Sequence, residues 1–350
     1  MFSSRKPSYL WVKSFWMKAF CLALFAFPFF VSAQDVALDD TLTADTLLLE
    51  EPVEEESGDP AICNVGVYVT SIYDLSLSDR AFSAEFWIWY NYTDTSLKLV
   101  ETTEITNAKE YAFDLSYTEF PESGGVWAGQ KCRAVVKKEW DTRHFPFDTQ
   151  ELTIEIEESD MDASEMIFVA DTAQSKYDER IKIDGWKILK FDITSKESVY
   201  KTTYGDPELE GESIYPRVIA SFTIVRDGSG LFFKLFTGVY VAFCISIVVF
   251  RMGTDNMERF GLLVGALFAA IGNKYIVDGL LPQTTTFTLV DKIHALTFGF
   301  ILLHLVATVW VWRLHSTGNL IKAKTIDKRA FWISLTTYVL LNVFFIFQVL

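Results

Sequence analysis

Charged side chains are costly inside a lipid bilayer, and those found there usually face water or a protein partner. The apolar stretch from Phe260 to Leu281 carries Lys274 and Asp278 towards one end, and Glu258 and Arg259 stand just before the other. Met257, Gly261, Gly265, Phe268, Gly272, Tyr275 and Gly279 recur at spacings of four and three, which places them on one helical face. Such a face has two uses. Gly261 and Gly265 let neighbouring helices approach closely, or the face borders a path for water and ions. Elsewhere, His144 and His294 titrate near neutral pH, although a lone histidine is more often a structural residue. Glu155, Glu157, Glu158, Asp160 and Asp162 offer oxygen ligands for a regulatory divalent cation, or simply a solvated strand face. Cys63 and Cys132 are either a disulfide or two buried thiols. The sequence has no metal spacing of Cys and His, no nucleophile elbow, no phosphate loop and no zinc-binding His pair. The expectation is a protein that is not an enzyme and has no resident cofactor.

The elements that would position these residues fall into two halves. The chain has 350 residues, half of them hydrophobic, which is enough for two domains. Residues 1–33 have a basic front, an apolar run from Ala19 to Val31 and a small-residue pattern ending at Ala33, which predicts a signal peptide. Residues 34–59 carry ten acids and no base, which predicts a flexible acidic tail that supplies most of the net charge of −15. No basic cluster follows that would suit nucleic acid. From 60 to 226 the text reads as short strands and turns. The runs are 65–72, 82–92, 132–140, 152–157, 165–169, 186–193 and 215–225, which predict an Ig-like β-sandwich. From 227 to 350, four apolar segments follow (231–250, 260–281, 289–312 and 331–349), each of spanning length. Basic residues gather after the first (Arg251, Arg259) and the third (Arg313, Lys322, Lys324, Lys328, Arg329). The positive-inside rule then leaves the sandwich and the C-terminus outside.

Between the sandwich's strands lies Phe145-Pro146-Phe147-Asp148, preceded by Trp140 and followed by Gln150 and the alternating strand from Leu152. This stretch resembles the signature loop of pentameric ligand-gated ion channels. Lys138 and Leu152 stand where animal members carry the two loop cysteines, so the chain resembles the prokaryotic branch without that disulfide. The order of parts agrees. A short Asp/Ser turn (74–80) follows the first strand, a hairpin spans 195–213, Arg226 leads into the first membrane segment, and Leu281-Pro282 ends the second. One departure lies between Thr93 and Thr106, where the Trp-x-Pro segment that helps form the family's ligand pocket is missing.

The resemblance implies a bacterial homopentamer, each chain joined by four further copies around a central pore in the inner membrane, with the N-terminal domain on the periplasmic side. Counted from Leu281-Pro282, the face of Met257, Gly261, Gly265, Phe268, Gly272 and Tyr275 becomes pore-lining, with Phe268 as an apolar gate. Glu258 and Asp278 form negative rings at the mouths, favouring permeant cations, while Arg259 and Lys274 oppose them. Phe145, Pro146, Phe147, Asp148 and Pro282 become coupling residues. Ligand candidates are Trp89 on one side and Tyr200 and Tyr204 on the other, with Tyr177 as a cap; any of them reads equally as core or hairpin packing, and Trp89 reads first as core. The agonist is a small molecule, a proton sensed by His144 or His294, or a divalent cation. The competing expectation is a non-conducting membrane sensor or scaffold of the same architecture.

Overall fold

The computed structural model describes residues 59–205, 211–281 and 286–349. The expected signal peptide, almost all of the acidic segment and Pro282 lie outside the described residues. The strand-rich half contains β1 (Ala61–Ser76), β2 (Ala81–Tyr92), β3 (Thr103–Ile105), β4 (Ala108–Glu119), β5 (Val126–Lys137), β6 (Thr149–Glu158), β7 (Met166–Ala170), β8 (Lys176–Tyr177), β9 (Trp186–Tyr200) and β10 (Ser213–Arg226). One sheet runs β4-β5-β2-β1-β7 with β8 also beside β1, and the other runs β3-β6-β10-β9. Pairing is antiparallel except where β7 and β8 join β1.

Period-two patterning explains why the two sheets face each other. Phe82, Ala84, Phe86, Ile88 and Tyr90 of β2 point inward, as do Leu152, Ile154 and Ile156 of β6 and Val218, Ala220, Phe222 and Ile224 of β10. They share one core, as the sandwich expectation requires. Three strands were not among the expected runs: β3 and β8 are very short, and β4 lies mostly exposed along a sheet edge. The Cys63–Cys132 bridge is not formed, and both thiols are free and buried. Asn64, next to Cys63, pairs with Asn91, whereas Cys132 pairs with Phe86. Five positions of β2 between those partners amount to about 17 Å, beyond disulfide reach. Burial pushes both thiols up, that of Cys132 to about 12.

Four helices follow, all long and apolar enough to cross a membrane. They are α1 (Gly228–Val248, extended by a 3-10 turn through Arg251), α2 (Glu258–Asp278), α3 (Leu289–Ser316) and α4 (Leu320–Phe347). Thr288 and Asp291 form a capping box that starts α3. Gly318, at φ 81°, follows its last turn, where a left-handed residue closes a helix. Helix α4 begins well before the apolar run at 331. The preceding residues, rich in Ile, Ala, Lys and Arg and free of Gly and Pro, continue the helix on propensity.

Candidate functional site

At the junction of sandwich and bundle, a carboxylate and a guanidinium meet out of water. Arg226, ending β10, donates from Nε to Asp148 Oδ1 at 2.6 Å and from Nη2 to Oδ2 at 3.1 Å. Their side chains are 8% and 3% exposed. Strand pairing brings them together, because Val225 is opposite Thr149 and the Arg226 amide donates to the Asp148 carbonyl at 3.0 Å. Gln150 Nε2 donates to Asp148 Oδ2 and to the Asp141 carbonyl, both at 2.7 Å, so the carboxylate is fully engaged. The guanidinium also stacks 3.9 Å from the Trp186 ring centre and 5.1 Å from that of Phe145. Trp186 packs on Trp140, whose indole N–H donates to Ser76 O at 2.9 Å at the end of β1. One connected set of side chains therefore joins the β1–β2 turn, the 145–148 loop and the entry to α1.

The loop reaches into the bundle. Phe145, before a cis Pro146, is buried in the cluster formed by Leu235, Phe236, Val277 and Ile293. Phe147 stacks on Phe232 of α1 at 5.9 Å. A Cβ on Gly228 would overlap the Pro146 carbonyl, so only glycine permits this approach. His144 Nδ1 lies 3.1 Å from Val349 O, tying the loop to the end of α4.

On α2 the two faces differ. Leu263, Ala266, Ala270 and Val277 are buried against the rest of the chain. The opposite face is open: Met257, Phe268 and Tyr275 are 58%, 68% and 82% exposed. A Cβ built on Gly261, Gly265 or Gly272 meets nothing within 4 Å. These glycines do not serve helix packing inside the chain. The close α1–α2 approach instead uses Gly238, where a Cβ would lie 2.8 Å from the Asn273 amide.

The two cations that the sequence sets against Glu258 and Asp278 are both consumed. Arg259 is 1% exposed and points away from the open face. It donates from Nη2 to Asp327 Oδ2 and to Met252 O, both at 2.6 Å, and from Nη1 to Asp327 Oδ1 at 3.2 Å. Lys274 bridges Asp278 of its own helix and Asp291 of α3, the latter at 2.8 Å. Glu258 stays exposed at the N-terminal end of α2, with Asp278 exposed at the other. The role of Asp327 was not anticipated. It is the one acid in the basic run 322–329, the feature that could have marked it.

His294 is fully buried, with Nδ1 2.8 Å from Val290 O and Nε2 2.9 Å from the Asn273 amide oxygen. The carbonyl fixes Nδ1 as a donor. A neutral ring then accepts a hydrogen bond at Nε2 from the Asn273 amide nitrogen, and a charged ring donates one to the amide oxygen.

Among the ligand candidates, Tyr200 and Tyr204 meet at 5.8 Å at the tip of the β9–β10 hairpin and are joined by Tyr215 at 6.0 and 6.4 Å. Beneath them Arg217 contacts Glu155, Glu157 and the Tyr200 hydroxyl. Burial works against the Arg217 charge, but Glu157 and Glu155 outweigh it and hold its proton above the ordinary range. Burial, then the bond and charge of Glu157, push the Tyr200 hydroxyl up. Those two glutamates are thus occupied, and among the described residues no three His, Cys, Asp or Glu side chains converge to hold a metal. Tyr177 sits elsewhere, against Phe191 and Phe222. Phe191 is nine positions from Tyr200 along β9, about 30 Å, so Tyr177 does not cap the hairpin cluster.

Trp89 is neither in the interior core nor free. It lies half-buried on the outer face of the first sheet between Gly66 and Gly129, its indole N–H 3.2 Å from Asp171 Oδ2. A Cβ on Gly66 would overlap the Trp89 ring and one on Gly129 the Tyr117 ring, so two glycines make room for two aromatics. Trp87 and Trp127 complete this patch through Tyr117, at 6.5 and 5.1 Å. The β2 register carried the signal for Trp87; Tyr117 depended on placing β4, and Trp127 on the first residues of β5, which the expected run from 132 leaves out. A scan against protein-family models finds no match to this chain, and a search of curated proteins finds none either.

Proposed function

We propose that this chain is one subunit of a homopentameric, ligand-gated, cation-permeable channel of the bacterial inner membrane. Its pore would be lined by α2 and its gate controlled from the sandwich. The observation that carries this reading is the open face of α2, an unpacked stripe of glycines with Met257, Phe268 and Tyr275 along a membrane-spanning helix whose other face is packed. A helix that packs on one side and presents small residues and one bulky ring on the other suits a bundle around an axis, with Phe268 as the apolar constriction. Pairing of Arg259 and Lys274 with acids leaves Glu258 as the uncompensated charge of the inner mouth, which supports cation permeation. Basic residues after α1 and α3 support a periplasmic sandwich.

The ligand would sit between subunits. The tyrosine cluster of the hairpin and the Trp87–Trp89–Tyr117–Trp127 patch belong to different sheets, and two copies are needed to oppose them. Aromatic walls suit an amphipathic cation. In a two-state channel such a ligand opens the pore to the extent that it binds the open form better.

Current across a bilayer containing purified Phe268→Ser protein tests the reading. A steady current absent from wild type, reversing at the cation equilibrium potential, is expected. A silent variant that remains a folded pentamer would turn the assignment to a non-conducting sensor.

A further inference from the structure

Strand β3 is three residues long and forms one edge of the second sheet, beside β6. Its central residue, Glu104, stands directly opposite Glu157 of β6. We propose that this pair makes β3 an acid-tightened clasp, which holds β6 more firmly when Glu104 carries a proton than when both carboxylates are charged.

The register forces the two acids together. Thr103 and Ile105 are buried, so the half-buried Glu104 between them points to the outer face of the sheet, as does Glu157 next to the inward Ile156. Directly opposed residues of an antiparallel pair have Cβ atoms about 5 Å apart, and like charges there weaken the pairing. The strand cannot slip to escape the contact. At one end the Asn107 side chain accepts from the Glu155 amide at 3.1 Å and donates to the Thr153 carbonyl at 2.9 Å. At the other the Ser159 amide donates to the Thr102 carbonyl at 3.1 Å. A slip of one residue would also turn Thr103 and Ile105 out of the core.

The charges around the pair do not balance. Glu155 and Glu157 are bonded to the Arg217 guanidinium, and Glu157 Oε1 also accepts from the Tyr200 hydroxyl at 2.7 Å. Glu104 is a third carboxylate near that single cation and forms no ion pair of its own among the described residues. Tyr111 of β4 is the remaining titratable group that feels it. Burial, and after it the charge of Glu157, push Glu104 up from its ordinary 4.5, with Arg217 working against them. The ionised form is therefore disfavoured in the paired strand. This penalty is present at neutral pH and is relieved as pH falls through the raised value towards 4.5. The clasp shares Glu157 and Arg217 with the hairpin tyrosines, but it depends neither on a ligand there nor on conduction.

Hydrogen exchange of the purified full-length protein, read by mass spectrometry from about pH 8 to about pH 4, spans the carboxylate range. Wild type and E104Q are compared at each pH, so the intrinsic pH dependence of exchange cancels. At the top of the range the β3 amides of wild type should exchange about two- to fivefold faster than those of E104Q, the size expected for opposed like charges. At the bottom the two proteins should coincide. E104K, which sets a cation opposite Glu157, should be protected at least as well as E104Q at neutral pH. Equal exchange of wild type and E104Q at the top, or a ratio that stays constant across the range, would overturn the proposal. So would a difference of the same size in peptides from β2, which would be general destabilisation rather than a clasp.

Discussion

At the scale of single residues, the Asp148–Arg226 pair dominates the junction. Both groups are buried, so removing one leaves the other charged without a partner. Arg226→Ala should destabilise the protein by about 3–5 kcal/mol, read as a shift in the denaturant midpoint of the purified protein. Replacing both members by apolar residues should recover part of that loss, since the uncompensated charge would be gone. A second buried carboxylate gives a pH test. Burial pushes Glu158 up from its ordinary 4.5, despite hydrogen bonds from Thr102 and the backbone of Asp160. The folded state therefore disfavours the ionised form relative to the unfolded chain, and this penalty is present at neutral pH. It is relieved as pH falls through the raised value towards 4.5. Measured by thermal unfolding, wild type should gain stability relative to Glu158→Gln over that descent; a constant difference would show that burial is not the cause. Much at this scale was legible. The loop motif pointed to Asp148, and the ends of the strand and the membrane run pointed to Arg226. The partners of Arg259 and Lys274 were not legible, because a charge beside an apolar helix says nothing of which neighbouring helix offers the counter-charge.

At the scale of elements, the close approach of the 145–148 loop to α1 is the most demanding contact. Gly228→Ala would drive a methyl into the Pro146 carbonyl, whereas Gly230→Ala meets nothing within 4 Å. The first should cost about 1–3 kcal/mol and the second should stay near wild type, since overpacking is penalised only where space is filled. Thermal unfolding of the two variants side by side checks this. The long strands and the four helices could be read from period-two and spanning-length patterns. Strand β4 escaped despite alternating Tyr111, Phe113, Leu115 and Tyr117, because the edge strand is mostly exposed, charges are interspersed, and an irregularity between Phe113, which packs on the core, and Leu115 breaks the alternation. The start of α4 escaped for a related reason: hydropathy marks where a helix meets lipid, and Leu320–Ala330 is helix that does not.

At the scale of the whole molecule, the described residues leave the hairpin tyrosines, the aromatic face of the first sheet and the stripe of α2 uncovered. The proposed ring of copies uses each of them. If so, cysteines placed at Tyr204 and Trp127 should cross-link one chain to the next and yield a ladder ending at five copies on a denaturing gel. Closure within single chains, or a ladder ending at two, would remove the pentamer from consideration. The order of domains was plain from composition. Assembly was expected through family resemblance alone, since no periodicity within one chain encodes how many copies surround an axis.

Phe145 sits in the helical cluster, not in the sandwich. The strand-rich half therefore ends its own folding with an aromatic ring still waiting for a home. During synthesis that half is made first, and its loop stays greasy until α1, α2 and α3 have entered the bilayer. A secreted fragment ending at Arg226 would carry Phe145 and Phe147 as an adhesive patch. Polar replacements at these two positions are the natural first change for anyone preparing the sandwich by itself.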